Sequence, residues 1–406
     1  MQNELKRQLA VFTEKTMEVF PLPELRTKIK RSLQSNTPLR IKIGIDPTKA
    51  HIHLGHMVPF RKIRRLQDLG HMCILIIGDF TARIGDPTGK NKERPQLSSK
   101  QVQENAGTYT EQIFSILDKQ RTDVYFNSQW FKDMRTDEFM RLAARFSLAQ
   151  LLAHDSFRLR MEKGARLGMH ELFYPMFQAF DSVQTKTDIE VGGSDQKFNI
   201  LCGRDLMAQV GLEPQVALLL PLLSGTDGRK MSKSLGNDIP VSGAPADKVG
   251  KIMSIADDLL IHYFTYATDI ATKEIKNIEN DIAQRKRNPR DIKLMLAGEI
   301  VSLYHDEKTA DRACREFLRV FSKKQAPTKI QEISVKEKQL SIRNLLHDYL
   351  CVNSLSEARR LVEQGGVSIN GQRINDINLL IDIKRNSGAV LKIGKRRFYR
   401  IVVFKQ

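Results

Sequence analysis

Apolar residues in the first half of the chain fall into short, nearly continuous runs separated by stretches of mixed polarity. LRIKIGIDP, residues 39–47, reads as a buried strand that ends where Asp46-Pro47 turns the backbone away. MCILIIGDF, 72–80, is a second such strand, and the intervening HLGHMVPFRKIRRLQDLG has the polarity of a helix closed by Gly70. Strand, helix, strand opens a parallel α/β sheet, whose ligands lie beyond the carboxyl ends of the strands. ALLLPLLSG, 217–225, adds another strand ahead of a loop rich in Gly and Lys. The first 35 residues read as helix, with Leu9, Phe12, Met17 and Phe20 between charges and breaks at Pro21 and Pro23, and residues 98–170 read as mainly amphipathic helix.

From about residue 240 the strand signal stops. DIKLMLAGEIVSLYH and ADRACREFLRVF repeat apolar positions at three and four residues, predicting a helical domain over 240–322. Residues 323–338 carry few large apolar side chains and read as a linker. The remainder, 339–406, predicts a small α/β module: two short helices, a Gly-Gly turn, a strand-turn-strand with Asn370-Gly371 at the corner, and two final strands around a basic turn. A domain division of 1–239, 240–322, linker and 339–406 follows.

At 406 residues the chain suits two or three domains of about 150 residues each. Charge narrows the picture. The chain carries 65 Lys and Arg against 47 Asp and Glu, a formal +18, and residues 321–406 hold 17 basic against seven acidic side chains, leaving +8 for the first 320. That distribution points to a polyanionic partner met partly through the C-terminal module, with a merely basic soluble surface as the plainer reading. Cys73, Cys202, Cys314 and Cys351 form no C-x-x-C pair, which argues against a zinc knuckle or a disulfide framework and suits a reducing cytoplasm. Neither an export signal nor a membrane-spanning run is expected.

Two strings hold candidate chemistry. In PTKAHIHLGH, 47–56, His53 and His56 stand three apart at a helix start, and Gly55 clears space for a flat ring. The helix N-terminus there would favour a phosphate, although two histidines alone could equally serve a metal or lie on the surface. In GRKMSKSLGN, 228–237, Lys230 and Lys233 lie in a small-residue loop that could close over phosphate; no P-loop pattern surrounds it.

Together HLGH and KMSKS, with Lys230 lying 174 residues after His56, resemble the paired ATP motifs of class I aminoacyl-tRNA synthetases, Leu54 standing where the family pattern has Ile. GIDPT, GDFTARIGDPTGK, YPMFQAFDS and GGSDQKFNI further resemble bacterial tyrosyl-tRNA synthetases of the longer-bodied branch, and residues 339–406 resemble the S4 RNA-binding domain. This resemblance spans essentially the whole chain. It implies a Rossmann-like parallel-sheet catalytic domain, then a helical anticodon-side domain and an S4-like α/β domain, in a cytoplasmic homodimer that uses ATP with Mg²⁺, L-tyrosine and tRNA(Tyr).

Tyr174, Gln178 and Asp181 fall at i, i+4 and i+7, the spacing of one helical face. Their polar groups fit core packing poorly, because a buried polar group without a partner is costly. The resemblance gives Tyr174, Gln178 and Asp86 the substrate ammonium, Asp181 the phenolic OH, Asp195 the ribose and Gln196 the adenylate or tyrosine carboxylate region. It places Asp46 near the ammonium network and Thr48 near the phosphates. Gly192 and Gly193 would let backbone approach the nucleotide. Lys42 occupies the position where the shorter bacterial form has a phenol-binding tyrosine; the longer branch carries lysine there, and a solvent-pointing strand residue is the plainer reading.

For the reaction, the resemblance implies that an already ionised carboxylate attacks the α-phosphate of ATP. Thr48, His53, His56, Lys230 and Lys233 would stabilise the charge that develops. Arg359, Arg360, Arg373, Lys395, Arg396 and Arg397 are the RNA-contact candidates of the tail, with packing on the body or binding of a protein as the alternatives. The related tryptophanyl enzyme and an RNA-binding protein without catalysis are the alternatives.

Overall fold

The computed structural model describes residues 1–48, 51–88, 97–322, 330–350, 354–394 and 397–404. They form two compact units, Met1–Ala310 and Asp311–Gln406, the division falling within the helix Glu307–Phe317.

The first unit is organised by six strands: β1 (Glu18–Phe20), β2 (Arg40–Ile45), β3 (Met72–Ile77), β4 (Thr122–Phe126), β5 (Ile189–Gly193) and β6 (Val216–Leu220), in the order β1-β6-β5-β2-β3-β4. All neighbours run parallel except β1, which pairs antiparallel with β6. The chain builds outward from β2 to β4, then returns to lay β5 on the other side of β2. That reversal opens a crevice at the carboxyl ends of β2 and β5, the ordinary ligand position of a doubly wound sheet.

The apolar runs explain the central strands. Cys73 to Ile77 and Val216 to Leu220 are at most 2% exposed, as expected of strands covered on both faces. Each Val, Leu or Ile side chain among them contributes roughly 1.5–3 kcal/mol on burial. Helix Leu54–Gln67 connects β2 to β3, as the sequence pattern predicts. Helices Tyr174–Thr185 and Lys197–Gln209 flank β5 in sequence, the first carrying Pro175 in its first turn and capped by Lys186 in the left-handed region (φ 46°).

Three sequence expectations change. Residues 98–170 contain β4 as well as helices; TDVYF lies on the sheet edge, half-buried, and lacks the continuous apolar run that marks a central strand. The N-terminal stretch is helix Gln2–Thr13, strand β1 and helix Leu22–Ser35, with Pro23 in the first turn of the second helix, where a missing N–H costs little. Part of the stretch read as a linker is ordered structure: Gln331–Val335 is a strand, while 323–329 lie outside the described residues.

Beyond β6 the first unit is helical, with Pro245–Ile252, Leu260–Ala267, Thr272–Ala283 and Pro289–Tyr304 burying Ile252, Phe264, Ile278 and Leu296. In the second unit, β7 (Gln331–Val335), β9 (Val367–Ile369), β10 (Gln372–Arg373), β12 (Val390–Ile393) and β13 (Arg397–Val403) form one sheet, β10-β9-β12-β13-β7. β8 (Gln339–Ser341) and β11 (Leu380–Asp382) form a separate pair. Asn370 (φ 44°) and Gly371 (φ 85°) make the two-residue β9–β10 corner; both lie in the left-handed region such a hairpin turn requires. Val335, Leu345, Val362, Val367, Leu391 and Ile401 form its core.

Candidate active site

The crevice is built from segments that leave the strand ends. Asp46, just past β2, accepts from Tyr174 OH on Oδ2 at 3.0 Å and from Thr81 Oγ1 on Oδ1 at 2.8 Å. A Cβ on Gly78 would collide with Asp46 Oδ1 and Thr81 Oγ1, so glycine at the end of β3 is a steric condition of this contact. Thr48 follows in a tight turn, its N–H donating to Asp46 O at 2.8 Å. Asp86 accepts from Gln196 Nε2 at 2.8 Å and from the Thr88 N–H at 2.9 Å. Asn199 Nδ2 donates to Gln196 Oε1 at 3.2 Å, fixing which end of that amide meets Asp86.

Asp181, on the helix Tyr174–Thr185, is 5% exposed. It accepts from Trp130 Nε1 at 2.9 Å and from Asn127 Nδ2 at 3.5 Å. Burial pushes its carboxyl up to about 7 against the pull of Lys42, Trp130 and Asn127. Lys42 is buried rather than solvent-pointing. Its ammonium lies 2.9 Å from Glu190 Oε1 and donates to Gln178 O at 3.0 Å and Ser182 Oγ at 2.5 Å. Gln178 Nε2 donates to Glu190 Oε1 at 3.0 Å.

On the other side, His53 precedes the helix Leu54–Gln67 and its ring lies 3.8 Å, centroid to centroid, from that of His56, tilted by 39°. Burial, reinforced by His53, Lys233 and Lys230, holds His56 well below its ordinary 6.5. The two motif strings meet through backbone. Leu54 N–H donates to Ile239 O and Val241 N–H to Ile52 O, both at 2.9 Å, so the segment after KMSKS pairs with the approach to HLGH. A Cβ on Gly55 would stand 3.1 Å from the His53 ring and 3.7 Å from Met231 Sδ.

The loop is shaped by Asn237, which the sequence reading does not single out. Its Oδ1 accepts from the Ser232 N–H at 2.8 Å, and its Nδ2 donates to Asp227 Oδ1 at 2.7 Å and Lys230 O at 3.2 Å. Lys230 Nζ donates to Asp195 Oδ2 at 2.7 Å, joining the loop to the end of β5. A Cβ on Gly192 or Gly193 would come within 2.9 Å of Ile200 or 2.7 Å of Asp195, respectively, so both glycines keep this corner open.

In the second unit Arg359 pairs with Glu363 at 2.8 Å along its own helix, and Arg360, Arg373 and Arg397 are exposed. Lys395 and Arg396 lie outside the described residues.

Comparison with known proteins decides the family. Residues 34–322 match the family model described as tRNA synthetases class I (W and Y), and residues 322–401 match the Tyrosine--tRNA ligase SYY-like C-terminal domain. The chain is 44% identical over 409 residues to a Tyrosine--tRNA ligase of Carboxydothermus hydrogenoformans, with 99% of each chain covered. A Photobacterium profundum protein of the same name is 46% identical, over 95% of this chain and 96% of that one. The chain belongs to the bacterial tyrosyl-tRNA synthetases.

Solved structures agree on the fold. The C-terminally truncated Aspergillus nidulans mitochondrial tyrosyl-tRNA synthetase superposes with a TM-score of 0.62 at 20% identity, covering 79% of this chain and 100% of its own. The Archaeoglobus fulgidus tyrosyl-tRNA synthetase complexed with L-tyrosine gives 0.61 at 22%, covering 76% of this chain and 99% of its own.

For a tyrosyl-tRNA synthetase the crevice contains more polar groups than the motifs announce. Asn127, Trp130 and Glu190 lie outside the motif strings, while Thr81, Ser182 and Asn199 sit inside them without an assigned role. Glu190 left one trace in the sequence, a lone acid in the otherwise apolar run Ile189 to Val191.

Proposed function

We infer that the crevice at the carboxyl ends of β2 and β5 activates L-tyrosine with ATP to tyrosyl-adenylate and diphosphate, and then passes tyrosine to the 3′-terminal adenosine of tRNA(Tyr). One observation carries this reading: the buried acceptor Asp181 and the motif pair His53/His56 and Lys230/Lys233 belong to one sheet crevice, although the sequence separates them widely. Asp181 accepts the phenolic hydrogen bond. Tyr174, Gln178, Asp86 and Asp46 serve the ammonium side, with Gln196 by the carboxylate. Asp195 takes the ribose, and Gly192 and Gly193 leave room for the nucleotide.

The tyrosine carboxylate needs no protein base to attack phosphorus, being ionised at neutral pH. What the reaction needs is charge stabilisation. Thr48, His53 and His56 supply donors at the helix start, and Lys230 and Lys233 bring cations on a loop that can move, so stabilisation grows as pyrophosphate departs. Mg²⁺ arrives with the ATP phosphates as part of the substrate. His56, held neutral near pH 7, acts as a hydrogen-bonding group and adds no cation of its own.

A homodimer is part of the proposal. Met140, Leu148, Met161 and Met169 are 52–65% exposed within one stretch of the first unit, an apolar surface that a second copy would cover. Arg359, Arg360, Arg373 and Arg397, with Lys395 and Arg396, supply the tail's phosphate contacts to tRNA. No helix among the described residues is long and apolar enough to cross a membrane, and we place the protein in the cytoplasm with its tRNA.

The test is charging of tRNA by purified full-length protein with ATP and either tyrosine or tryptophan. Tyrosyl-tRNA should form and tryptophanyl-tRNA should not. Charging with tryptophan, or with neither amino acid, would refute the assignment.

A further inference from the structure

A pair of opposite charges stands inside the sheet of the first unit. Lys42 on β2 and Glu190 on β5 are register partners across the parallel pair, and each is 1% exposed. Burying two charges costs several kcal/mol per ion, and a buried pair is tolerated when its remaining protons and lone pairs are also bonded. That condition is met here. The three protons of Lys42 have three partners, Glu190 Oε1, Gln178 O and Ser182 Oγ. Glu190 Oε2 accepts from Gln215 Nε2 at 2.5 Å and from Ser182 Oγ at 3.3 Å, while Oε1 also accepts from Gln178 Nε2 at 3.0 Å. The pair therefore ties the two strands to the helix Tyr174–Thr185 at successive turns.

The contact with Gln178 decides an orientation. A primary amide can offer a ligand either its donor end or its acceptor end, whereas a carboxylate only accepts. Glu190 therefore fixes the NH₂ of Gln178 toward itself and leaves Oε1 as the free end. An ammonium group needs that acceptor; with the amide reversed, donor would face donor.

We propose that Glu190, anchored by Lys42, is a positioning residue that orients the Gln178 amide so that Oε1 receives the ammonium of the amino-acid substrate. Lys42 then acts as the counter-charge of Glu190 and as an anchor for the helix at Gln178 O, and donates nothing to the substrate phenol. The proposal rests on the reading of Gln178 as an ammonium ligand given above.

The test compares equilibrium binding of two ligands to the full chain: L-tyrosine, and 3-(4-hydroxyphenyl)propionate, which keeps the phenol and carboxylate and lacks the amino group. Lys42→Met combined with Glu190→Leu removes both charges together and leaves no unpaired buried ion. The preference for tyrosine over the deaminated acid should fall about tenfold in this double variant, the scale of one hydrogen bond to a charged group. Glu190→Gln, which keeps one carbonyl acceptor, should lower it by less. A merely structural role would weaken both ligands by the same factor. An unchanged preference in a folded variant therefore overturns the proposal. Gln178→Leu separates the two claims: if it leaves the preference intact, the ammonium role of Gln178 fails; if it lowers the preference while neither Glu190 variant does, only the orienting role of Glu190 fails.

Discussion

On one side of the crevice Lys42, Asp181 and Glu190 are each at most 5% exposed and hydrogen-bonded to strands and helices of the sheet domain. On the other, the Lys230 side chain is 51% exposed and meets Asp195 from a loop whose shape depends on turns and the amide of Asn237. Both sides must handle charge, and they do so by different means. The tyrosine side has little freedom to rearrange, so a wrong side chain leaves a buried acceptor unpaired. On the proposed reading the ATP side acts from an exposed loop, so its cations would follow a charge that migrates during the reaction. In the function proposed above, this difference gives amino-acid choice to the buried network and rate acceleration to the loop.

The largest effect should come from removing the buried acceptor. Asp181→Ala should reduce the preference for tyrosine over phenylalanine by about 10³ out of the roughly 10⁴–10⁵ characteristic of this enzyme class. Activation kinetics with both amino acids measure it, and an unchanged ratio in folded protein would break the assignment.

Acidity should expose the same group. Asp181 titrates near 7 in the folded protein, so below that pH it holds a proton where the phenol must donate. The kcat/KM for tyrosine should fall about tenfold per pH unit below 7 and level off above it. His56, held well below 6.5, does not generate this limb, which should be absent in Asp181→Asn. The shift has a stability consequence with a definite sign. The folded state keeps a proton that the unfolded chain releases near 3.8, so this group's contribution falls as pH rises from about 4 to about 7.

A smaller effect is expected from the loop's scaffold. Asn237→Ala should slow adenylate formation by about tenfold, since it removes donors and an acceptor worth roughly 1–3 kcal/mol when their partners are left unmade. Tyrosine affinity should stay within a factor of about two, because Asn237 lies on the ATP side. Rapid-quench kinetics and equilibrium dialysis distinguish the two quantities.

The sequence exposed the side of the crevice that rests on backbone geometry more fully than the side that rests on crossed elements. HLGH and KMSKS could be placed at strand ends because a strand rich in apolar residues precedes each of them. Tyr174, Gln178 and Asp181 could be placed on one face because helical spacing is local. Lys42 sits in a strand the sequence predicts and Glu190 between two apolar residues, yet their partnership depends on β5 returning beside β2, a crossover that no local pattern encodes. Trp130 and Asn127 follow β4, an edge strand without a continuous apolar run, so their approach to Asp181 was hidden with it. Asn237 resembled ordinary loop composition, and only folding shows its amide bracing the turn.

The division of labour is tested most directly by Lys233→Ala, measured two ways on the same preparation: the tyrosine dissociation constant at equilibrium, and the single-turnover rate of adenylate formation at saturating tyrosine and ATP. Removing a cation that acts chiefly as pyrophosphate departs should lower the rate by about 10²–10³ and leave the dissociation constant within about twofold. Equal losses in the two quantities would contradict the account, placing Lys233 in ground-state binding and joining the two sides that the structure separates.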